Sequence, residues 1–406
     1  MNRKLLLLPF LFACSKDPVN EEVAMDLAAP PDRADRADLA PKADLASDCR
    51  APAPENRVRR VVISLPYDDD AMRAEVYGVM PLAEDGTLGA ITARFKMGRA
   101  FGGPIRFTPD GSLGFVAQED GTVGVFRLAP DGTPEVVDAH YKGAGYATRV
   151  ALDPAGERLY VLNGNTRANG GGITLVRVAC DGTLTPSSKA AAGSLPYALL
   201  PLGEGRAVAY ARELLDSAAG DDAHLVETGP PLARKASAPS FGDSDAIVAS
   251  AGLTTDHRYA LFGDNSEFSG PGDRVAVVAI EAGALRPVQV LSGVQDPVGI
   301  LLSPFGSAGL VVSGYGNAVL PFRYDPMNTT APITMLTQPT YVGKRPQLPD
   351  TAVAIDRGNL KGWVLLSENT GVRRMAFAQD GSLRDLGVTT TGDKLSDIVG
   401  AIGVQP

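Results

Sequence analysis

Arginine, glutamate, asparagine and tyrosine side chains recur in the polar loops that separate the apolar runs of this chain. Guanidinium groups bind carboxylate or phosphate, and carboxylates can act as general bases toward water. These residue types therefore suit the binding or hydrolysis of a small ester or acid. The candidate binding residues are Arg99, Tyr146, Arg149, Asn163, Arg167, Tyr197, Arg212, Asn265, Tyr315, Arg345, Glu368 and Asp397. The four that best suit acid–base hydrolysis are Arg149, Arg167, Arg212 and Glu368. For each single residue, an ordinary solvated loop remains the alternative.

Other reaction chemistries lack their motifs. We expect His140 on or just after an outer strand, His224 on a strand and His257 in a turn. No Gly-x-Ser-x-Gly sequence presents a nucleophile for a catalytic triad, and no Cys/His spacing suggests zinc. The glycine-rich segment 169–172 precedes a strand rather than a helix, so it lacks the helix N-terminus that binds phosphate in nucleotide sites.

No cofactor is predicted, and Ca²⁺ is a weak alternative. Asp68-Asp69-Asp70 and the segment 263–273 offer carboxylates to such a hard ion. Adjacent carboxylates repel each other and the spacing matches no known calcium loop, so solvated loops are favoured. The formal net charge of −9 argues against nucleic acid or an anionic membrane surface as a partner, since either requires a basic face.

The polar loops belong to a unit that recurs along almost the whole chain. Apolar runs alternate with turns rich in Pro, Asp and Gly, and clear copies span 105–132 and 150–184. Repeats of about 40–50 residues with four strand-like runs each are typical of propeller blades. About seven units fit the chain. The sequence therefore predicts an all-β fold, a seven-bladed β-propeller with four-stranded blades over residues 57–406.

Turn signals place the first and second strands of six blades. The predicted turns are Pro109-Asp110-Gly111, Asp153-Pro154-Ala155-Gly156, Gly203-Glu204-Gly205, Thr255-Asp256-His257-Arg258, Pro304-Phe305-Gly306 and Asp356-Arg357-Gly358-Asn359. The remaining blade lacks a first strand, and segment 396–402 reads like the first strand at 296–302. We therefore predict that the C-terminal strand joins the first blade and closes the ring. The candidate residues would then gather on one face, around the channel mouth.

The N-terminus predicts export and a lipid anchor. Asn2-Arg3-Lys4 precedes a short apolar run, the layout of a secretory signal. Leu11-Phe12-Ala13-Cys14 resembles a bacterial lipoprotein processing site, which implies cleavage before Cys14 and lipidation of that residue. The predicted organisation is a signal peptide at 1–13, a disordered Ala/Asp/Pro-rich tether at 14–56, and the propeller. The protein would lie in the bacterial cell envelope, on the outer membrane, facing the periplasm or the surface; an ordinary secretory signal is the alternative.

The remaining thiols leave two alternatives. If Cys14 carries lipid, Cys49 and Cys180 are the other cysteines of the chain. An exported protein meets an oxidising compartment, where a disulfide could join the end of the tether to a propeller hairpin. Two unpaired thiols remain the alternative, because the sequence does not give the distance between them.

The blades resemble those of the seven-bladed lactonase-like propellers related to 6-phosphogluconolactonase and the bacterial surface repeat proteins. The resemblance is carried by segments 107–112, 152–161 and 180–184, and extends over nearly all of 57–404. It implies a propeller scaffold and, for the lactonase members, hydrolysis of sugar-acid lactones.

Three functions follow from these observations. The main hypothesis is a membrane-anchored, non-catalytic propeller that binds a protein, a glycan or a small-molecule ligand in the envelope, because no convincing catalytic group stands out. The alternative is a lactonase-like hydrolase of sugar-acid lactones. The third is a structural or adhesive envelope component, which a broad exposed apolar patch would favour.

Overall fold

The computed structural model describes residues 49–53, 57–65, 75–101, 103–164, 171–191, 196–211, 220–241, 246, 248–264, 273–314, 316–336, 340–341, 347–356, 359–368, 371–391 and 401–406. In these residues the regular secondary structure consists of β-strands that form seven sheets. Among the same residues there is no helix with the length and apolar character needed to cross a membrane. The seven sheets are the blades of an all-β propeller, which confirms the predicted fold.

The first four blades follow each other along the chain. Blade 1 begins with β1 (Arg59–Leu65), β2 (Val76–Leu82) and β3 (Ala93–Lys96), and a short β4 (Gly103–Pro104) follows. Blade 2 consists of β5 (Arg106–Phe107), β6 (Leu113–Ala117), β7 (Val123–Leu128) and β8 (Pro134–Tyr141). Blade 3 consists of β9 (Ala147–Leu152), β10 (Arg158–Asn163), β11 (Gly172–Val178) and β12 (Leu184–Ala191). Blade 4 consists of β13 (Pro196–Gly203), β14 (Arg206–Ala211), β15 (Ala223–Glu227) and β16 (Ala233–Ala238).

The last three blades repeat the antiparallel order. Blade 5 consists of β17 (Val248–Leu253), β18 (Tyr259–Asp264), β19 (Arg274–Ile280) and β20 (Leu285–Ser292). Blade 6 consists of β21 (Pro297–Leu302), β22 (Ala308–Ser313), β23 (Ala318–Tyr324) and β24 (Ile333–Met335), and β25 (Thr340–Tyr341) also pairs with β23. Blade 7 consists of β26 (Gln347–Asp356), β27 (Asn359–Glu368), β28 (Gly371–Phe377) and β29 (Leu383–Thr390). The final strand, β30 (Ala401–Val404), returns to blade 1.

Local side-chain chemistry builds the turn between the first and second strands of a blade. In blade 2 the Thr108 N–H donates to the Leu113 carbonyl at 3.0 Å, and the Asp110 carboxylate accepts the Ser112 N–H at 2.9 Å. Gly111 has a φ of 67°, a conformation that strains residues with a Cβ. The five predicted turns whose residues are all described join the first and second strands of their blades, whereas residues 357–358 of the sixth lie outside the described residues.

The ring is closed by the C-terminal strand, as predicted. The register of β30 places Ile402 opposite Ile63 and Val404 opposite Val61 on β1. On its other side β30 runs parallel to β4, and the Ile105 N–H donates to the Ile402 carbonyl at 3.0 Å. Residues 396–400 of the predicted closing segment lie outside the described residues.

Gln405, which directly follows the closing strand, forms hydrogen bonds with both blade 1 and blade 2. Its side-chain oxygen accepts the Arg60 N–H at 3.0 Å, and its side-chain nitrogen donates to the Gly111 carbonyl at 2.7 Å. The residue is buried, so these bonds replace water contacts that the side chain has lost. One side chain therefore connects blade 1 with the first turn of blade 2.

Arginines connect neighbouring blades through the turns of the outer hairpins, and three of the described contacts reach Asp-Gly turns. The donor–acceptor pairs are Arg60 with the Asp131 carbonyl at 3.0 Å, Arg127 with the Cys180 carbonyl at 2.9 Å and Arg374 with the Gly86 carbonyl at 3.0 Å. In each pair the arginine belongs to one blade and the acceptor to the next blade around the ring. The outer Asp-Gly turns thus present carbonyl groups that guanidinium donors satisfy across the blade interface.

The structure pairs Cys49 with Cys180 in a disulfide. The two Cα atoms lie 5.4 Å apart and are separated by 131 positions in the sequence. Cys180 belongs to the outer hairpin turn of blade 3, whereas the Ala53 N–H donates to the Pro109 carbonyl of blade 2 at 3.2 Å. Segment 49–53 is therefore held against blades 2 and 3.

Apolar side chains pack between neighbouring blades rather than around one centre. Phe115 of blade 2 and Leu159 and Val176 of blade 3 are fully buried in one such cluster. The middle strands of a blade are covered on both faces, so they read as nearly continuous apolar runs. Full burial of each such side chain contributes about 1.5–3 kcal/mol.

Candidate functional site

A cavity of about 390 Å³ lies in the central channel, lined mainly by β4 and the first strands of blades 2 to 6. Much of its wall is aliphatic, with Val150, Leu199 and Ile300 among the lining residues. The polar side chains of the lining are Arg106, Arg149, Tyr197, Ser250 and Thr255. None of the described residues that line it is Asp, Glu or His. Arginine side chains at such a cavity can bind an anionic or strongly polar ligand.

Arg149 lies on β9 at the wall of this cavity. Its guanidinium carbon is 4.6 Å from the centre of the Tyr197 ring, which belongs to β13 of the next blade. This distance is that of a cation–π contact. A Cβ at Gly103 would lie 3.3 Å from Arg149 Nη1, so the glycine leaves room for the guanidinium group. Two candidates from different inter-blade links, Arg149 and Tyr197, are therefore in contact at the channel.

Arg106 lines the same cavity and is not among the candidates from the sequence. It lies two residues before the first turn of blade 2. Ala151 holds the equivalent position in blade 3. Ala151 also lines the cavity. Alternate residues of a strand share a face, so aligning the repeats on their turns would have found Arg106. It was missed because it lies inside a strand, whereas the candidates were sought in polar loops.

Several blades end their second strand in a buried polar residue. These residues are Gln118, Asn163, Asp264, Ser313 and Glu368. Gln118 accepts a hydrogen bond from the Thr122 hydroxyl at 2.7 Å, and Asp264 Oδ2 lies 2.5 Å from Arg274 Nη2. In these two blades the partner lies just before or at the start of the third strand, so the pair links the end of the second strand to the third. The buried polar position therefore has a structural role in these blades.

Glu368 follows the same pattern in blade 7. Its carboxylate is paired with the Arg373 guanidinium, which also contacts Asp385 Oδ2 at 2.6 Å. Glu368 is buried and does not line the channel cavity. Removing Arg373 would leave a buried charge without its partner, which is costly. The geometry thus places Glu368 in a structural ion pair, and Asn163 lies at the equivalent strand end of blade 3, also outside the cavity lining.

Arg99 and Tyr146 flank a loop of blade 2 rather than the channel. Arg99 Nη1 lies 3.2 Å from Glu119 Oε2, and the Tyr146 hydroxyl donates to the Glu119 carbonyl at 2.9 Å. Tyr146 is 39% exposed, and neither residue lines the cavity. Both contacts hold the loop after β6 in place.

The other candidates lie outside the described residues. They are Arg167, Arg212, Asn265, Tyr315, Arg345 and Asp397, together with Cys14 and Asp68-Asp69-Asp70. In the part of the chain that the structure describes, no group of three or more His, Cys, Asp or Glu side chains could hold a metal ion. Asp264, from the second calcium candidate, is paired with Arg274.

The three histidines occupy the elements expected for them. His140 lies on β8 and bonds Asp120 Oδ2 through Nδ1 at 2.9 Å, an exposed pair. His224 lies on β15, where it is buried and contacts the Ser237 hydroxyl and the Ala211 carbonyl. Burial lowers the pKa of His224, so the ring is neutral at pH 7. His257 has a φ of 57° in its turn.

Asp222, beside His224 in sequence, gives blade 4 a pH-dependent stability. It is 3% exposed, and burial raises the pKa of its carboxyl from 3.8 to about 6, although the Ser240 N–H donates to it at 2.6 Å. The folded state thus binds the proton more tightly than the unfolded state. The stabilisation of the folded state by this proton is complete below about pH 4 and is lost as the pH rises through 6. The loss amounts to about 3 kcal/mol.

We expect Asp222→Asn to remove this dependence. The free energy of unfolding is measured in urea at pH 4 and at pH 7.5, and the decrease between the two pH values is compared. In the variant this decrease should be smaller by about 3 kcal/mol than in the wild type. His224 acts in the opposite direction but is present in both proteins, so it cancels. The matched control is Asp221→Asn, and equal pH dependence in wild type and Asp222→Asn would contradict the assignment.

Sequence comparison identifies no relative of this chain. No protein-family model matches it, and no curated protein matches it. Solved structures do match. A candidate 6-phosphogluconolactonase from Bacteroides fragilis is 15% identical with a TM-score of 0.61, and the match covers 87% of this chain and 99% of the other.

Two further structures show the same relationship. A periplasmic gluconolactonase from Pseudomonas aeruginosa is 17% identical with a TM-score of 0.63, covering 86% of this chain and 99% of its own. A protein from Lactobacillus plantarum is 15% identical with a TM-score of 0.61, covering 86% of this chain and 100% of its own. At these identities the likeness shows the fold, a propeller similar to the 6-phosphogluconolactonase-like proteins, and it confirms the resemblance seen in the blades.

Proposed function

We propose that the protein is a hydrolase of sugar-acid lactones whose reaction takes place in the central channel. The observation that carries the proposal is the Arg149 guanidinium, held on the Tyr197 ring at the wall of a cavity of about 390 Å³. That volume lies within the range of sites for small molecules. Two structural neighbours are named as lactonases, which favours this function over the non-catalytic binding module.

The reaction would need a group that stabilises negative charge on oxygen. A water oxygen adds to the lactone carbonyl carbon and loses one proton to the solvent. The ring carbon–oxygen bond then breaks, the ring oxygen takes up a proton, and a hydroxy acid is formed. The carbonyl oxygen becomes negatively charged before the ring opens. The Arg149 N–H groups would donate charge-assisted hydrogen bonds to that oxygen.

Tyr197 has a positioning role in this proposal. Its ring faces the guanidinium, which limits the rotamers that Arg149 can adopt. A long arginine side chain otherwise loses considerable conformational entropy when it is ordered by a ligand. The cation–π contact would therefore supply part of that order before the substrate arrives.

Replacing Arg149 tests the function. We expect the wild type to hydrolyse gluconolactone or galactonolactone above the spontaneous rate, and Arg149→Ala to lower kcat/KM about 100-fold or more. Arg149→Lys should recover little, because lysine does not present the planar donor pair. The readout is acid release under weak buffering, after subtraction of the reaction without protein.

The matched control removes an arginine outside the channel. Arg286, on β20, forms a half-exposed ion pair with Glu281 at 3.0 Å, so Arg286→Ala should leave kcat/KM unchanged. No turnover on any lactone by the wild type would contradict the proposal. It would favour the binding module, with the same channel as the ligand site.

We also propose that the protein is exported and anchored to the envelope through Cys14. The Cys49–Cys180 disulfide supports export, because such bonds persist in oxidising compartments. We expect full-length wild type to fractionate with membranes and Cys14→Ser to appear in the soluble fraction. Membrane association that is unchanged in Cys14→Ser would contradict lipidation at this residue.

A further inference from the structure

We infer that the channel holds the hydroxy acid product more tightly than the lactone, with Arg106 as a second anion-binding residue, so that the product inhibits the enzyme. The inference rests on the proposed function and concerns the same cavity. It starts from the two guanidinium groups of the lining, of which only Arg149 is used in the proposed reaction.

The register of the first strands places the two arginines at different depths in the channel. Thr108 and Asp153 occupy equivalent places, because each donates its N–H across the first turn of its blade, to Leu113 and Arg158 respectively, at 3.0 Å. Arg106 precedes Thr108 by two residues, whereas Arg149 precedes Asp153 by four. An offset of two residues corresponds to about 6.6 Å along a strand.

The offset also keeps both side chains on the same face. Side chains of a strand alternate between its two faces, so positions two residues apart point in the same direction. Both arginines line the cavity. The channel therefore presents two levels of positive charge to one ligand.

Hydrolysis changes the charge and the length of the ligand, and both changes affect its contacts with the two arginines. The lactone group is uncharged, whereas the product carries a carboxylate at neutral pH. The described lining includes two arginines, whose positive charge attracts the product anion. Ring opening also converts a compact ring into a longer chain, which can reach from the level of Arg149 toward that of Arg106.

The selectivity follows from the kind of bond formed. A hydrogen bond between a guanidinium and a carboxylate is about twice as strong as one between neutral groups, and more so where water is excluded. We therefore expect the carboxylate product to bind about tenfold or more tightly than an uncharged compound of the same shape. Bound product would exclude the lactone from the channel, so turnover would fall as the product accumulates.

Calorimetric titration of the purified protein tests the inference directly. The probes are sodium gluconate and gluconamide, which differ in the charge of one group. We expect gluconate to bind the wild type about tenfold more tightly, with affinity that falls as salt rises. Gluconate should also inhibit lactone hydrolysis competitively.

Two variants locate the effect. Arg106→Gln should weaken gluconate about tenfold while changing gluconamide little, because it removes the charge and keeps a polar side chain of similar length. Arg286→Ala is the matched control and should bind both probes as the wild type does. Circular dichroism and the melting temperature verify that Arg106→Gln is folded.

The outcomes separate this inference from the proposed function. If lactones are hydrolysed and gluconate binds no better than gluconamide, or Arg106→Gln binds gluconate unchanged, the inference is wrong and the proposed function stands. If gluconate binds as expected and no lactone is hydrolysed, the two-level anion site is supported, whereas product inhibition and the proposed function are both wrong.

Discussion

Deletion of residues 401–406 is expected to leave the propeller unable to fold into its closed ring. The deletion removes β30, the first strand of blade 1, and exposes the buried residues Val62 and Ile63 that it covers. It also removes the bonds that Gln405 makes to Arg60 and Gly111. We expect insoluble protein, or soluble protein without a cooperative unfolding transition, because β1 and β4 would both present unpaired strand edges.

A milder variant makes the same prediction testable in folded protein. A Cβ at Gly403 would lie 2.5 Å from Ile105 Cβ and 2.6 Å from the Ile105 carbonyl oxygen, so the closing strand accepts no side chain there. Gly403→Val should lower the free energy of unfolding by about 1–3 kcal/mol or more. Gly283→Ala is the matched control, because nothing lies within 4 Å of the Cβ that it adds.

Urea unfolding followed by circular dichroism is the measurement for both variants. A truncated protein that unfolds cooperatively near the wild-type midpoint would show that β30 is dispensable. Equal stability of Gly403→Val and the wild type would show that the close approach to Ile105 does not restrict this position.

Loss of the Cys49–Cys180 disulfide is expected to have the second largest effect. The bond closes a loop across a sequence separation of 131, which includes β1 to β11. In the chain-entropy treatment a loop of this length restricts the unfolded state by about 5 kcal/mol. Measured losses for native disulfides are about 2–5 kcal/mol, and we expect a value in that range.

The design uses both single variants and the double variant. Cys49→Ser, Cys180→Ser and the double variant should lose the same free energy of unfolding, since each removes one and the same bond. The wild type should approach them when a reductant is added. Losses that add in the double variant would show that each cysteine acts separately, and no loss in any variant would show that segment 49–53 is held without the bond.

The functional experiments have a clear order. Hydrolysis and its dependence on Arg149 come first, because the channel cavity is the site that the described residues assemble. The gluconate titration follows and is informative with or without turnover. Both concern residues that lie on rigid first strands rather than loops, so a substitution there changes the cavity with little change to the surrounding blades.

The blade boundaries were predictable because their signals are local. Asp110 and Gly111 build a turn through bonds within a few residues and through a positive φ, and neither depends on the rest of the ring. The same applies to the closing strand, whose pattern at 396–402 matches 296–302 within the sequence. Repetition makes each copy a check on the others, which is why the propeller could be predicted without any relative.

The site was predicted only in part. Arg149 and Tyr197 were candidates and line the cavity, but Arg99, Tyr146, Asn163 and Glu368 do not. All are polar residues of loops, links or strand ends, and the sequence does not distinguish a side chain that faces the channel from one that pairs within its blade. Arg106 is the opposite case, because this charged residue lies inside a short strand and was not predicted as a site residue.

The sequence by itself determined the all-β class, the seven repeats, the turns and the closure of the ring, because hydrophobic alternation and turn chemistry act over a few neighbouring residues. The tertiary structure alone decided the contact between Arg149 and Tyr197, the pairing of Glu368 with Arg373, and the choice between a disulfide and two thiols. Most of these contacts depend on how strands that are distant in the chain are brought side by side. The pair of Glu368 and Arg373 is local in the sequence, but it depends on the direction in which its two strands face. No local pattern encodes that placement.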